Sequence, residues 1–460
     1  MKAGGAALFH SSLIGRFRFP DKRIALNVPT FPESNRTMKR YSLLILLAAF
    51  WGFAGGIRAE SLSALFTNVA PAATTAVPRR PNILWIMADS LGYGDLSCYG
   101  QAKYATPNLD RLAAGGARFT RYATGAGAGL SAQAGLLLGQ ESAPAGKPVP
   151  KSETVAQELK RSGYHTGLIG QWELGNEASG SAPWDRGFDE FAGYFDAADA
   201  ENYYVDYIWR YAPRSLLNAT NNRIEDFVGR EMLYSNVDGK RGQYLPDLYT
   251  KAAMNFISNN RPEAANRYRP FFLLLNYPTP RPNAALARRT GNGMQVPTDA
   301  PFSSETWPAP EKNRAAMIAR LDGDIGKLVE QLEKNQQVSN TVVFFSSAGP
   351  ARAGGGVNPD FFRSNLASND LRVPLLVSCP GKIPAGQVSD QPSYAVDWAP
   401  TALQIALVKP AAGSPGSSLW SWLCGERTGS SAPRKESARP PIKETSPAKV
   451  SPEPVPAAAR

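Results

Sequence analysis

Residues 80–100 read RPNILWIMADSLGYGDLSCYG, and they constrain the fold more than any other stretch. Residues 83–87 form an unbroken apolar run, without the polar alternation of a strand that keeps one face wet. Such a run predicts a strand buried on both faces, as in a parallel or mixed sheet covered by helices. Asp89 and Ser90 follow, and Gly92 and Gly94 then mark a turn. In α/β sheets, ligands gather beyond the carboxyl ends of the strands. Asp89 therefore has two readings: a carboxylate placed for a divalent cation or a phosphate-like group, or a strand-end aspartate facing solvent.

The same pattern recurs along the chain. Residues 270–276 and 341–345 are further apolar runs, and residues 163–170 read as a turn leading into a strand. Between them lie helical patterns at 106–114 (with Pro107 early), 152–162 (Ser152 or Thr154 near the cap), 249–257 and 313–334. The last is the clearest: Met317, Leu321, Ile325, Leu328 and Leu332 keep a 3.6-residue period. Residues 119–122 are strand-like. Residues 123–139 alternate glycine before an apolar run, which suits either a flexible loop or an anion cradle at a helix start. Residues 194–215 are rich in aromatics, which either pack together or offer flat faces to sugars. Strands interleaved with helices predict an α/β fold with a mixed sheet sandwiched between helices.

The net charge of +11 raises the question of an acidic partner, but it sits mostly at the chain ends. Residues 1–59 carry nine Lys or Arg against two Asp or Glu, residues 425–460 seven against four, and residues 60–424 the remaining 34 against 33. A near-neutral body gives nucleic-acid binding no compositional support.

From Met38, two positive charges precede an apolar run and a small-residue cleavage site at Ala59, the pattern of a secretory signal. The alternative is an uncleaved anchor through residues 41–57, which alone would place the chain at a membrane. The expected organisation is then a leader of unclear status at 1–37, a signal at 38–59, a linker at 60–79, one domain at 80–424, and a disordered Pro/Ser/Lys/Glu-rich tail at 425–460. Export implies the periplasm or the extracellular space. Cys98, Cys379 and Cys424 show no metal-ligand spacing, and which two of them would pair is left open. Cleavage would leave His165 as the one imidazole, a severe limit on acid–base chemistry. It reads as structural or partly exposed.

Residues 80–100, with Thr106-Pro-Asn-Leu-Asp-Arg-Leu-Ala113 after them, resemble the opening of the sulfatase family, within the alkaline-phosphatase-like superfamily. The resemblance runs to about residue 424 and implies that fold, with the usual small carboxy-terminal subdomain missing and apolar surface exposed in its place. It also implies a formylglycine nucleophile, a calcium ion and sulfuric ester hydrolysis, and residue by residue this chain departs from each. The family's paired aspartates are Asp89 and Ser90 here. Its Ser-Asp-Asn-Gly is Ser346-Ser-Ala-Gly349, so Ser347 and Ala348 replace two calcium ligands. Counting back from Leu136-Leu-Leu-Gly139, the nucleophile position is Gly129 and the motif's arginine is Gln133. Ser131 is the nearby hydroxyl, two residues out of register and without an evident base. Lys-Trp-His-Leu-Gly becomes Gln171-Trp-Glu-Leu-Gly175, and a later histidine becomes Arg281, which otherwise reads as a surface arginine.

The expectation is an exported relative of sulfuric ester hydrolases that is catalytically inactive. No cofactor is expected, calcium entering only if the site works after all, and the partner would be a sulfated glycan or a protein. The alternative is a sulfuric or phosphoric ester hydrolase with a rearranged site, using Glu173 or Asp89 as base.

Overall fold

A computed structural model describes residues 79–124, 130–140, 152–195, 201–212, 227–261, 269–350, 356–358, 361, 372–409 and 416–426. The leader, the signal, nearly all of the linker, Gly129 and the tail from 427 lie outside the described residues.

Among the described residues the chain lays down twelve strands: β1 (Asn82–Ala88), β2 (Ala117–Phe119), β3 (Tyr122–Ala123), β4 (His165–Gln171), β5 (Glu190–Tyr194), β6 (Tyr207–Ala212), β7 (Phe227–Met232), β8 (Phe271–Asn276), β9 (Thr341–Ser347), β10 (Leu375–Ser378), β11 (Gln387–Ser389) and β12 (Ser393–Tyr394). Ten of these form one sheet in the order β11-β2-β10-β9-β1-β8-β4-β5-β6-β7, and β3 pairs with β12. Strand β1 lies near the middle, parallel to β8 and β9, and all seven of its residues are buried, as the apolar run requires. Strand β4 is parallel to β8 and β5, whereas β10, β6 and β7 run antiparallel to their neighbours. The sheet is mixed.

Alternate residues of β1 feed two cores. Ile83, Trp85 and Met87 pack on one face with helices α2 (Leu130–Leu138), α3 (Val155–Arg161) and α7 (Trp398–Ile405). Leu84, Ile86 and Ala88 pack on the other with α1 (Pro107–Ala114), α4 (Leu245–Asn259) and α6 (Ala309–Lys334), and the short α5 (Ala284–Thr290) follows β8. Trp85 stacks on Phe344 at 4.7 Å and meets the edge of Trp398 at 4.8 Å, which ties the sheet to the first helical layer. Helix α3 starts where the sequence placed a cap: the Thr154 hydroxyl accepts from Gln157 N–H and the Gln157 side chain returns to Thr154 N–H.

Three local readings take definite form. Residues 119–122 resolve into the separate short strands β2 and β3. The apolar half of the glycine-rich segment is helix α2, and residues 125–129 lie outside the described residues. The described part of the aromatic segment packs: Tyr211 stacks on Trp184 at 4.9 Å and Phe195 meets Trp209 at 5.2 Å, all half-buried against the core. Large exposed apolar side chains among the described residues are scattered, with Val228 and Met232 on β7 and Val388 on β11, the two outer strands.

Candidate functional site

Because β1, β4, β8 and β9 run in parallel, their carboxyl ends deliver Asp89, Gln171, Asn276 and Ser347 to the same end of the sheet. Asp89 follows β1 and its N–H donates to Thr279 O at 3.0 Å, so its side chain is held over the loop after β8. That loop carries Arg281. Tyr203 pins it by donating toward Pro278 O (2.8 Å) and Arg281 O (2.7 Å). Arg281 Nη1 then reaches Asp89 Oδ2 at 3.1 Å, and its Nη2 reaches Glu201 Oε1 at 3.2 Å. Burial alone would lower the guanidinium's pKa. Asp89, Glu201 and Glu173 outweigh burial and hold it above its ordinary value.

Asp89 is thus not solvated: it is buried and paired with Arg281. Arg281 is not a free surface arginine. Sequence reading missed this pair because the partners are 192 residues apart and neither motif points to the other.

The turn after β1 is clamped from below. Ser90 has φ of +63°, in the left-handed region that a residue with a Cβ adopts only when its surroundings enforce it. The enforcement comes from α6, where Arg314 Nη1 and Nη2 each lie 2.8 Å from the two Asp95 oxygens while Nη2 also donates to Ser90 O at 3.2 Å. Gly92 N–H closes the turn onto Asp95 Oδ2 at 2.6 Å. Sequence reading named neither Asp95 nor Arg314. Asp95 sits in the quoted motif, but nothing in the helical period of α6 marks Arg314 as its partner.

Beside this lies a network of amides. Gln133, on α2, donates to Gln171 O at 3.1 Å and accepts from Glu173 N–H at 2.8 Å. Gln171 donates to the Glu173 carboxylate. Asn276 donates to Gln171 O at 2.9 Å. The close approach needs Gly170, at φ of +113°, where a Cβ would stand 1.9 Å from Asn276 O. Met87, Asp89, Gln133, Gln171, Glu173 and Asn276 line a pocket here, with Ala348 at its wall.

Comparison with known proteins decides the family. The Sulfatase family matches residues 81–408. N-acetylgalactosamine-6-sulfatase of Canis lupus familiaris is 28% identical over 75% of this chain and 66% of that protein. Arylsulfatase A of Homo sapiens is 30% identical over 74% of this chain and 66% of its own length.

This chain belongs to the sulfatase family.

It spans about two thirds of the length of the curated relatives it matches. Among solved structures, Ps i-CgsB in complex with k-i-k-neocarrahexaose is 26% identical, with 74% of this chain and 75% of that one covered and a TM-score of 0.57. The protein solved with its substrate D-glucosamine-2-N,6-O-disulfate has a TM-score of 0.54 at 21% identity, which shows the fold alone. The mixed sheet between helices is therefore the alkaline-phosphatase-like architecture that the sequence pointed to.

Against that family the strand ends can be tested for a metal. Calcium takes six to eight oxygen ligands, carboxylates prominent among them. Asp89 is bound to Arg281. The Ser90 hydroxyl donates to Asp89 Oδ1 at 3.1 Å. The Ser347 hydroxyl donates to Gly349 O at 2.7 Å and accepts from Leu91 N–H at 3.1 Å, and Ala348 ends in a methyl group. No group of three or more His, Cys, Asp or Glu is arranged to hold a metal among the described residues. These residues do not fit a calcium ion.

His165 is far from this end of the sheet. It starts β4 at the opposite edge of the core, buried, with Nε2 2.7 Å from Glu190 Oε1 and its ring stacked on Phe256 at 5.4 Å. It is a packed core position, not an exposed one. Nothing is described of Gly129 or of the Ser131 side chain.

Proposed function

We propose that this sulfatase-family protein does not turn over sulfuric esters and acts outside the cytoplasm by binding a ligand or partner. The observation that carries this is Arg281 closing on Asp89: a guanidinium from the chain itself neutralises the strand-end carboxylate that a divalent cation would need. Gly129 has no atom with which to attack a sulfate ester. Glu173 takes the place of the family's imidazole and, with Asp89 and Glu201, makes three carboxylates around one guanidinium. The sulfate of a glycan brought to this pocket would be repelled. Binding rather than hydrolysis is therefore the function we assign.

The experiment is turnover of an aryl sulfate and an aryl phosphate by the full chain with calcium added. We expect none above the buffer background. Turnover lost in Glu173→Gln or Asp89→Asn would establish the rearranged hydrolase instead. Export is tested separately: amino-terminal sequencing of the secreted protein should begin near Glu60, and recovery of residues 1–37 on it would refute cleavage after Ala59.

A further inference from the structure

The sequence leaves open which two of the three cysteines would pair, and the fold sorts them. Cys98 packs on the face of the sheet that carries α1, α4 and α6, with Asp110 and Arg118 as its charged neighbours. Cys379 follows β10 and is buried in the core on the opposite face. The sheet stands between them. The last described helix, α8 (Trp420–Leu423), ends at Cys424, and its Leu423 is buried in the same core as Cys379.

The turn after β10 and the end of α8 are fastened to each other. Ile383 N–H closes the turn by donating to Cys379 O at 2.9 Å, and the Ile383 side chain joins Leu423 in the core. Gln387, just beyond the turn, donates from Nε2 to Leu423 O at 2.8 Å. A Cβ placed on Gly425 would stand 3.4 Å from Pro384 Cγ. Lys382, inside the turn, is a charged neighbour of both sulfurs, and the Cys424 charge acts on Cys379. Burial pushes both thiols up, Cys379 to about 12, against the pull of Lys382. Both are thiols in this structure, with Cys379 Sγ donating toward Ser339 O at 3.8 Å.

We propose that Cys379 and Cys424 are the pair, joined in a disulfide that ties the end of α8 to β10. Cys424 is the half-buried partner. Its thiolate attacks an incoming disulfide such as oxidised glutathione and displaces one thiol. The Cys379 thiolate then attacks the Cys424 sulfur, the new S–S bond closes, and the second thiol leaves. Two electrons pass to the incoming disulfide, and the two protons given up by the cysteines end on its two thiols. The bond closes a loop of about 45 residues and so restricts the unfolded chain. The inference rests on the reading that the protein acts outside the cytoplasm, where disulfides persist. The two fail separately: a chain found only inside the cell would sink that reading, whereas the pairing stands or falls on the oxidised chain in vitro.

The test takes the full chain, purified under reductant, into excess oxidised glutathione. Remaining thiols are then alkylated, and the peptides are mapped by mass spectrometry without reduction. The Cys379 peptide should be found bonded to the Cys424 peptide, with Cys98 alkylated. Oxidation should raise the melting temperature by several degrees. Cys424→Ser should abolish both the bond and the rise, while Cys98→Ser should keep both. Three alkylated cysteines after oxidation, a glutathione adduct at Cys424 that never resolves, an intramolecular bond through Cys98, or a bond that leaves the melting temperature where it was would overturn the proposal.

Discussion

The two ends of one sheet treat charge in opposite ways. At the amino end of β4, Asp189 and Glu190 are met by Lys160 at 2.9 Å, Arg269 at 3.6 Å and the two nitrogens of His165 at 3.4 and 2.7 Å. Thr166 N–H adds a bond to Asp189 at 3.1 Å. At the carboxyl end, Asp89, Glu201 and Glu173 share Arg281, and Asn276 Oδ1 stands without a partner among the described residues. The first arrangement is closed: its charges answer one another. The second is open: among the described residues three carboxylates face the Arg281 guanidinium and a buried amide oxygen stays unmatched.

That contrast can be broken most severely at the clamp beneath the open end. Asp95→Ala leaves the Arg314 guanidinium buried without its counter-ion and should cost about 3–5 kcal/mol in denaturant unfolding. A loss under about 1 kcal/mol would mean that the strained turn at Ser90 holds without it.

At the closed end, Asp189→Asn should cost about 1.5–3 kcal/mol, the range for hydrogen bonds to a charged group. The pH dependence sharpens this. Burial pushes the Asp189 pKa up, but the Lys160 and Thr166 hydrogen bonds with the Lys160 and His165 charges outweigh it and hold the carboxyl below its usual range. Since its folded value is depressed, its contribution is fully present above the ordinary carboxylate pKa of about 4. It is lost as pH falls through the folded value. The stability gap between the protein and Asp189→Asn should therefore be flat from neutral pH down to about 4 and narrow below it. A gap that grows on acidification would contradict the assignment.

The smallest effect belongs to the open end. Glu173→Gln removes one of three like charges from a half-exposed position and should change stability by no more than about 0.5 kcal/mol. A loss near that of Asp189→Asn would show that Glu173 belongs to a closed structural network.

How much of this was legible depended on range. β1, β8 and β9 are visible as apolar runs, and α6 as a 3.6-residue period, because those signals are written in neighbouring residues. β7 is not: Phe227–Met232 is a half-exposed outer strand with Gly229, Arg230 and Glu231 in it, and has no apolar run to find. The expected departures from the family motifs, from Ser90 to Ala348, were each read from a few neighbouring residues. What replaces the pattern was not. Arg281 finds Asp89 across 192 residues and Arg314 finds Asp95 across 219, and no local period encodes either pairing. Asn276 ends an apolar strand and looks unremarkable until it is found lining the pocket, with an Oδ1 that has no partner among the described residues.

The central claim is that Arg281 stands where the family's chemistry would need a divalent cation. Thermal unfolding of the full chain in excess calcium and in chelator tests it most directly, because an ion bound by the native state raises the melting temperature by mass action. The account predicts the same midpoint in both solutions. A midpoint that rises with calcium concentration, and ceases to rise in Asp89→Asn, would contradict it.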